Sequence, residues 1–379
     1  MPLIAILFLT VVNLLNYFDR YIVQSVEPTI TKEFALSNIE AGYVVSAFVL
    51  GYCIFSPIFG FIGDRVDRRR VMAFGLLAWS LATALTAVAT STASFIFARI
   101  LVGVGEACYG SIVPVYLKNR IVDTVKLNRA LSIFYVAIPV GSALGYVAGG
   151  QVAAAYGWRT LFEWLVVEER AAAVRGGVAT GIKAIAGNPF LILVIGGYVL
   201  NTFALNGVAA FIVRHGTNLG LSDAAASTSF GVILVVTGLA GTLGGGFLAS
   251  RLVSRSSNTV RDLTRFVAYT TLLGVPFLGL CFLAKSIPLF LLGCFLAELL
   301  IFAGVAPLNS VIVARAPVGF ESFTQGVTIL SIQLFGGFVG PVFVGALTDL
   351  TGSLALALQV TTAALLLSGL AWQWAYRRA

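Results

Sequence analysis

Asp19 and Arg20 stand side by side in Asn16-Tyr17-Phe18-Asp19-Arg20-Tyr21, inside an apolar stretch long enough to cross a bilayer. An ionisable side chain in a spanning helix is costly unless it faces a partner or a water-filled cavity. Arg99 and Glu106 occupy a second such stretch at i and i+7, which puts them on one helix face about 10 Å apart along the axis. Gly103 and Gly110 extend the same stripe. Arg99 falls near the outer end of its helix, Glu106 near the midplane, and Asp19 in the outer half of its own helix, so Asp19 and Arg99 are within geometric reach. The chemistry this suits is proton coupling. A proton neutralises the carboxylate, frees the arginine and shifts the balance between two states. A permanent ion pair between helices is the competing reading, and for Asp19 with Arg99 both stand. Glu106, a deep carboxylate, points to function. Glu298 is a further acid in an apolar run, open to three roles: proton site, substrate contact or helix packing. Tyr17, Tyr21, Tyr109, Tyr135, Asn201 and Asn206 are placed to line a cavity, although aromatic residues at such positions also serve as packing or interface anchors.

No hydrolytic or metal-binding constellation accompanies these residues, and no Walker sequence is present. Energy must then come from an ion gradient or from the substrate's own gradient, and the sequence calls for no cofactor. Cys53, Cys108, Cys281 and Cys294 all fall in apolar segments without CxxC spacing, which reads as packing rather than as a disulfide framework or a metal site. His215, the single histidine, follows Arg214 at the end of a span and reads as an interfacial residue.

Elements of one kind position all these groups. The chain is 59% hydrophobic and 11% charged, with a mean hydropathy of +0.97. A soluble domain carries about a quarter charged residues, so this is an integral membrane protein. Apolar runs of roughly 20 residues indicate helices; a membrane barrel would show alternating segments of roughly 10. The 40 glycines suit close helix approach in lipid. The net charge of +8 does not signal nucleic acid. Arg65, Arg68, Arg69 and Arg70 share one short loop, Lys118, Arg120, Lys126 and Arg129 another, and Arg251, Arg255, Arg261 and Arg265 a third, a pattern that turns basic loops to the cytoplasm. The first apolar run lacks a basic leader and continues into Asp19, so it reads as a first span rather than a signal peptide, with room for a cytoplasmic tail before it.

The expected spans are Leu3 to Val26, Glu40 to Ile62, Val71 to Thr90, Ser94 to Leu117 and Arg129 to Ala155. After these come Pro189 to Val213, Ala224 to Leu252, Arg265 to Ala284, Pro288 to Val313, Phe323 to Leu350 and Ser353 to Tyr376. Eleven spans conflict with the charges. The fifth ends outside near Tyr156-Gly157-Trp158, yet Arg170, Arg175 and Lys183 read as cytoplasmic, and only Thr160 to Val167 lies between. The expectation is a twelve-span protein whose sixth helix is missing near Trp164–Leu165, with both termini cytoplasmic; a true eleven-span chain would put Arg377-Arg378 outside. The chain also repeats itself. Gly60-Phe-Ile-Gly-Asp64-Arg65 after the second span is echoed by Gly246-Phe-Leu-Ala-Ser250-Arg251, and Gly141, Gly145 and Gly149 by Gly336, Gly340 and Gly345. Two parallel six-helix halves follow: an N-terminal bundle over 1–165, a cytoplasmic linker over 166–188 and a C-terminal bundle over 189–379.

The Gly60–Arg70 loop fits G-x-x-x-D-R-x-x-R-R and resembles motif A of the major facilitator superfamily, which joins the second and third helices there as here. In that setting Asp64 pairs with Arg65, Arg68 and Arg69 and approaches the positive N-terminal end of the eleventh helix near Phe323, a latch on the cytoplasmic side that stabilises the outward-open state. A topogenic basic loop without a latch is the plainer reading. Asp67 stands where the family has Gly, which alters the turn. Within the superfamily, Asn16-Tyr17-Phe18-Asp19-Arg20, Gly63-Asp64-Arg65-Val66-Asp67-Arg68-Arg69 and Arg99-Ile-Leu-Val-Gly103-Val-Gly105-Glu106-Ala107 resemble the spinster branch, whose members are implicated in moving sphingosine-1-phosphate and lysophospholipids. The resemblance implies a proton-coupled secondary carrier of an amphipathic lipid-like molecule, an all-α major facilitator fold, and coupling and substrate roles for Asp19, Arg20, Arg99 and Glu106. Arg20, Arg99, Glu106, Tyr17, Tyr21, Tyr109, Asn201 and Glu298 are the candidate substrate contacts. The expected partners are substrate, protons and membrane lipids; the expected setting is a monomer in a bacterial inner membrane. A multidrug or organic-anion carrier of the same fold is the nearest alternative, and a non-transporting membrane sensor is the alternative of another class. A membrane enzyme is a weaker third, since no nucleophile-and-base arrangement is visible.

Overall fold

The computed structural model describes residues 2–378 except Ser37, 146–156, 164–177, Ser222 and Arg255. The described residues are helical, with no strand among them. In chain order the helices are α1 (Leu3–Glu33), α2 (Asn38–Gly63), α3 (Arg68–Ala87), α4 (Thr92–Arg120), α5 (Thr124–Tyr135), α6 (Thr160–Glu163), α7 (Val178–Ala186), α8 (Pro189–Asn218), α9 (Asp223–Val253), α10 (Thr259–Leu283), α11 (Ile287–Ala303), α12 (Val305–Arg315), α13 (Glu321–Ser331), α14 (Val339–Thr351) and α15 (Leu354–Arg377). A π-helical stretch, Ile332–Phe338, joins α13 to α14. Helices satisfy every backbone group internally, which is what a hydrocarbon solvent demands.

Ten helical stretches among the described residues are long and apolar enough to cross a membrane, and α2 adds a shorter apolar stretch, Ala47–Gly63. They match the eleven expected spans one for one. The proposed loss of a sixth helix near Trp164–Leu165 lies outside the described residues, as do Arg170, Arg175 and Gly149. Helix starts follow ordinary capping chemistry. Asp123 accepts from the backbone N–H of Val125 and Lys126 to start α5. Asn188 accepts from Leu191 N to start α8, with Pro189 at its first position. Asp67, the departure from the family pattern, caps α3 by accepting from Arg69 N at 3.0 Å.

The described chain forms two compact units. The first comprises Met1–Arg120, Ala137–Ala184 and Ala316–Leu330; the second comprises Ile121–Val136, Ile185–Arg315 and Ser331–Ala379. The start of the fifth span thus clusters with the second unit and the start of the eleventh with the first. The sequence repeat has a packing counterpart in each. In the first unit a Cβ on Gly141 would meet Leu14 O at 2.5 Å and one on Gly145 would meet Phe18 O at 2.7 Å. In the second, a Cβ on Gly336 would meet Val199 O at 2.8 Å and one on Gly340 would meet Phe203 O at 2.6 Å. Each stripe of glycines therefore lets one span lie directly on the backbone of the first helix of its half.

Candidate functional site

The first unit holds four charges in two crossed pairs between α1 and α4, with Asp19, Arg99 and Glu106 buried and the Arg20 side chain 12% exposed. Neighbouring residues on α1 point to different parts of α4. Asp19 meets Arg99, Nη1 to Oδ1 at 3.1 Å, and Arg20 meets Glu106, Nε to Oε2 at 2.6 Å. The net charge of the cluster is zero, which is how a low-dielectric interior tolerates it. The arginine beside Glu106 is therefore Arg20, on the neighbouring helix, and not Arg99 one stripe along its own.

The two pairs differ in how completely they are satisfied. Asp19 is fully buried, and its second oxygen accepts from Trp79 Nε1 at 2.8 Å and Thr83 Oγ1 at 3.1 Å, both from α3. Arg99 is likewise buried, with the Phe162 ring 6.0 Å from its guanidinium carbon. Glu106 is fully buried too, yet its Oε1 has no hydrogen-bond partner among the described residues. Arg20 is enclosed by three aromatic faces, Tyr17 at 4.8 Å, Phe48 at 4.5 Å and Tyr52 at 4.4 Å. Such faces hold a cation without neutralising it. Both carboxylate oxygens of Asp19 are hydrogen-bonded, whereas one oxygen of Glu106 is open among the described residues.

A second cluster sits at the end of α2 that leads into the arginine-rich loop. Asp64, its side chain fully buried, accepts from Ser322 N at 2.7 Å and from Phe323 N at 2.8 Å, the first turn of α13. Arg68 donates to Asp64 at 2.8 Å and to Ser322 Oγ at 3.2 Å, and lies 3.8 Å from Glu321. Lys118 approaches Glu321 at 3.7 Å. A carboxylate on a helix N-terminus satisfies orphan N–H groups and meets the positive end of the dipole. Arg65 turns the other way. It donates to Phe61 O and stacks between the rings of Phe61 and Phe320, while Arg69 is exposed. Gly60 makes the crossing possible, because a Cβ there would run into the carbonyl oxygen of Ser322; Gly326 does the same opposite Ser56 O.

Other expected site residues are dispersed. Tyr109 donates to Leu9 O at 2.5 Å, and Tyr21 packs under Gly145. Asn201 and Glu298 belong to the second unit. Asn201 lines a small cavity with Tyr198, Thr271 and Trp372, and Glu298 accepts from Thr237 Oγ1 at 3.1 Å.

Residues 9–341 match the profile of the Major Facilitator Superfamily. The human protein spinster homolog 1 is 30% identical over 89% of this chain and 71% of its own length. The chain belongs to the spinster family of the Major Facilitator Superfamily. It is therefore a multi-pass membrane transporter and not an enzyme. An Arabidopsis thaliana relative named "Probable sphingolipid transporter spinster homolog 2" is 28% identical over 89% of this chain and 79% of its own length. The fold is shared with the Escherichia coli fucose:proton symporter FucP, at a TM-score of 0.76 and 14% identity over 98% of both chains.

Three sets of contacts in this spinster-family chain were not anticipated from the sequence. Trp79 and Thr83 are one turn apart on α3, a polar i, i+4 pair in an apolar span, and that spacing was a readable signal. Tyr52 and Phe48 form the same kind of pair on α2, but nothing local distinguishes them from packing. A third miss lies in the second unit. Asn128, fully buried, donates to Gly246 O at 2.7 Å and Ser250 Oγ at 2.9 Å, and accepts from Ser310 Oγ at 3.1 Å. The offset of 195 that carries Gly141 to Gly336 also carries Asn128 to Phe323. A neutral amide therefore meets Ser250 where the backbone of Phe323 meets Asp64 in the other half.

Proposed function

We propose that this chain is a secondary active transporter of an amphipathic lipid-like molecule, of lysophospholipid or sphingosine-1-phosphate type, working by alternating access and coupled to protons. The observation that carries the reading is the Arg20–Glu106 pair with its open carboxylate oxygen. A proton on Glu106 Oε1 removes the charge that holds Arg20, leaving the guanidinium retained by Tyr17, Phe48 and Tyr52 and available to an anionic group such as a phosphate. Loss of the proton restores the pair. The substrate and the proton thereby compete for the two members of one ion pair, which couples their occupancies. Asp19–Arg99, tied down by Trp79 and Thr83, holds α1, α3 and α4 in the register this exchange needs.

The Asp64 cluster is the latch of the cycle. It binds the start of α13, whose chain continues into the second unit, so releasing those two N–H bonds frees the start of the eleventh span from the first unit. The halves 1–165 and 189–379 and the linker 166–188 follow the sequence repeat, and Gly181 on α7 lies against the rings of Phe320 and Phe323. The basic loops favour cytoplasmic termini, and the short loops favour a bacterial inner membrane. The name of the Arabidopsis relative supports a lipid-like substrate. Tyr17, Tyr21, Tyr109, Asn201 and Glu298 are assigned to substrate contact on the same reading.

Uptake of labelled lysophosphatidylcholine and sphingosine-1-phosphate into proteoliposomes, each in competition with simple organic anions, tests the substrate class. Saturable lipid uptake that the anions leave untouched supports the reading. Uptake of the anions alone moves the chain to the organic-anion carriers, and no flux from folded protein favours a sensor.

A further inference from the structure

Two of the four cysteines have a geometry that packing alone does not require. Cys281 lies near the C-terminal end of α10 and Cys294 lies inside α11, and both are buried. Their Sγ atoms are 2.9 Å apart. Long side chains reaching across a gap do not explain this approach. The two helices touch backbone to backbone beside the thiols, where a Cβ on Gly293 would lie 2.9 Å from Cys281 N and 3.0 Å from Cys281 Cα. Bridging two cysteines requires nearby Cα atoms and converging Cβ vectors; the crossing at the adjacent residue brings the two backbones together, and the Sγ contact brings the side chains together. The turn between the helices, 284–286, is at the far end of α10 from Arg261 and Arg265, and α12 ends at Arg315. Under the orientation set by the basic loops, on which this point rests, that turn faces the outer, oxidising side.

We propose that Cys281 and Cys294 are a redox pair that is oxidised to a disulfide stapling α10 to α11. Two S–H bonds break and one S–S bond forms. The two electrons and two protons pass to the disulfide of a dithiol oxidant, which leaves as two thiols. Glu298 follows Cys294 at i+4, on the same face of α11, and accepts from Thr237. The staple therefore fixes the stretch of helix that presents the one deep acid of the second unit named above.

The test counts thiols in the full chain, purified from membranes without reductant and denatured in a maleimide-polymer reagent. The expected result is two additions before reduction, on Cys53 and Cys108, and four after it. Tandem mass spectrometry should find the 281–294 cross-linked peptide, and the unreduced chain should weigh about 2 Da less. Cys281→Ser and Cys294→Ala should each show three additions with or without reductant. The thiol count is read in denatured protein, so it holds even if a variant folds poorly. Four additions before reduction, or a loss of two thiols that persists in Cys281→Ser, overturns the proposal. Neither result depends on which substrate is carried.

Discussion

Replacing Asp64 with Ala should open the contact between α2 and the start of α13. The substitution removes an acceptor from two buried N–H groups, Ser322 N at 2.7 Å and Phe323 N at 2.8 Å, and takes away the partner of Arg68. Losing a helix cap of this kind costs about 0.5–2 kcal/mol, and hydrogen bonds to a charged group contribute about 1.5–3 kcal/mol each. These figures overlap, since the cap consists of those bonds. Arg68 is 19% exposed and regains water, so a net loss of about 3 kcal/mol is a fair working value. That corresponds to a shift on the order of 10²-fold towards the open contact. Asp64→Asn keeps one neutral acceptor and should fall between. The assay is the rate at which a membrane-impermeant maleimide labels Thr324→Cys, a position fully buried behind the latch, in a background with the four native cysteines replaced. The rate should rise in the order Asp64, Asn, Ala. Equal rates in all three would refute the idea that this contact opens in the cycle.

Gly326→Val places a side chain against Ser56 O and should speed labelling at the same cysteine, with an overpacking cost of about 1–3 kcal/mol; an unchanged rate contradicts the close crossing. Trp79→Phe removes one of the three donors to Asp19 at a cost of about 1.5–3 kcal/mol, so the melting temperature in detergent should fall while Trp79→His, which retains an N–H, recovers part of it. Glu33, beyond the apolar span that ends at Val23, is partly desolvated, which raises its pKa, but hydrogen bonds from Trp158 and Arg159 outweigh this and hold it below the ordinary 4.5. A lowered folded pKa gives stability that is complete above the ordinary value and is lost as pH falls through the folded one. The melting-temperature gap between wild type and Glu33→Gln should therefore shrink on acidification from pH 7; a constant gap contradicts this.

The spans were legible because each is a long apolar run; the compact units do not follow the expected halves, since Ile121–Val136 clusters with the second unit and Ala316–Leu330 with the first. Asp64 was legible through the spacing G-x-x-x-D-R-x-x-R-R, whose resemblance to motif A implied an approach to the start of the eleventh helix near Phe323. Pairing was legible only in part: Asp19 was within reach of Arg99 and meets it at 3.1 Å, but the partner of Glu106 was not readable. Arg99 and Glu106 share a face of α4, and periodicity alone would couple them, yet Glu106 is met by Arg20 and Arg99 by Asp19. That choice is made by the rotation of α1 against α4, which depends on packing spread over several helices. The aromatic faces around Arg20 were hidden for the same reason, since Phe48 and Tyr52 look like any other apolar pair until a cation is set between them. Asn128 was missed because its partner in the repeat, Phe323, contributes a backbone group rather than a side chain.

The central claim is that Glu106 exchanges a proton for its hold on Arg20. Lysophosphatidylcholine or sphingosine-1-phosphate flux into proteoliposomes, measured with and without an imposed pH gradient for wild type and Glu106→Gln, tests it most directly. Glutamine keeps the shape of the side chain and cannot take up a proton in this range. The account predicts flux that the gradient drives in wild type and that loses its gradient dependence in Glu106→Gln, with exchange of substrate across the membrane retained. Gradient-driven flux that survives unchanged in Glu106→Gln would contradict it.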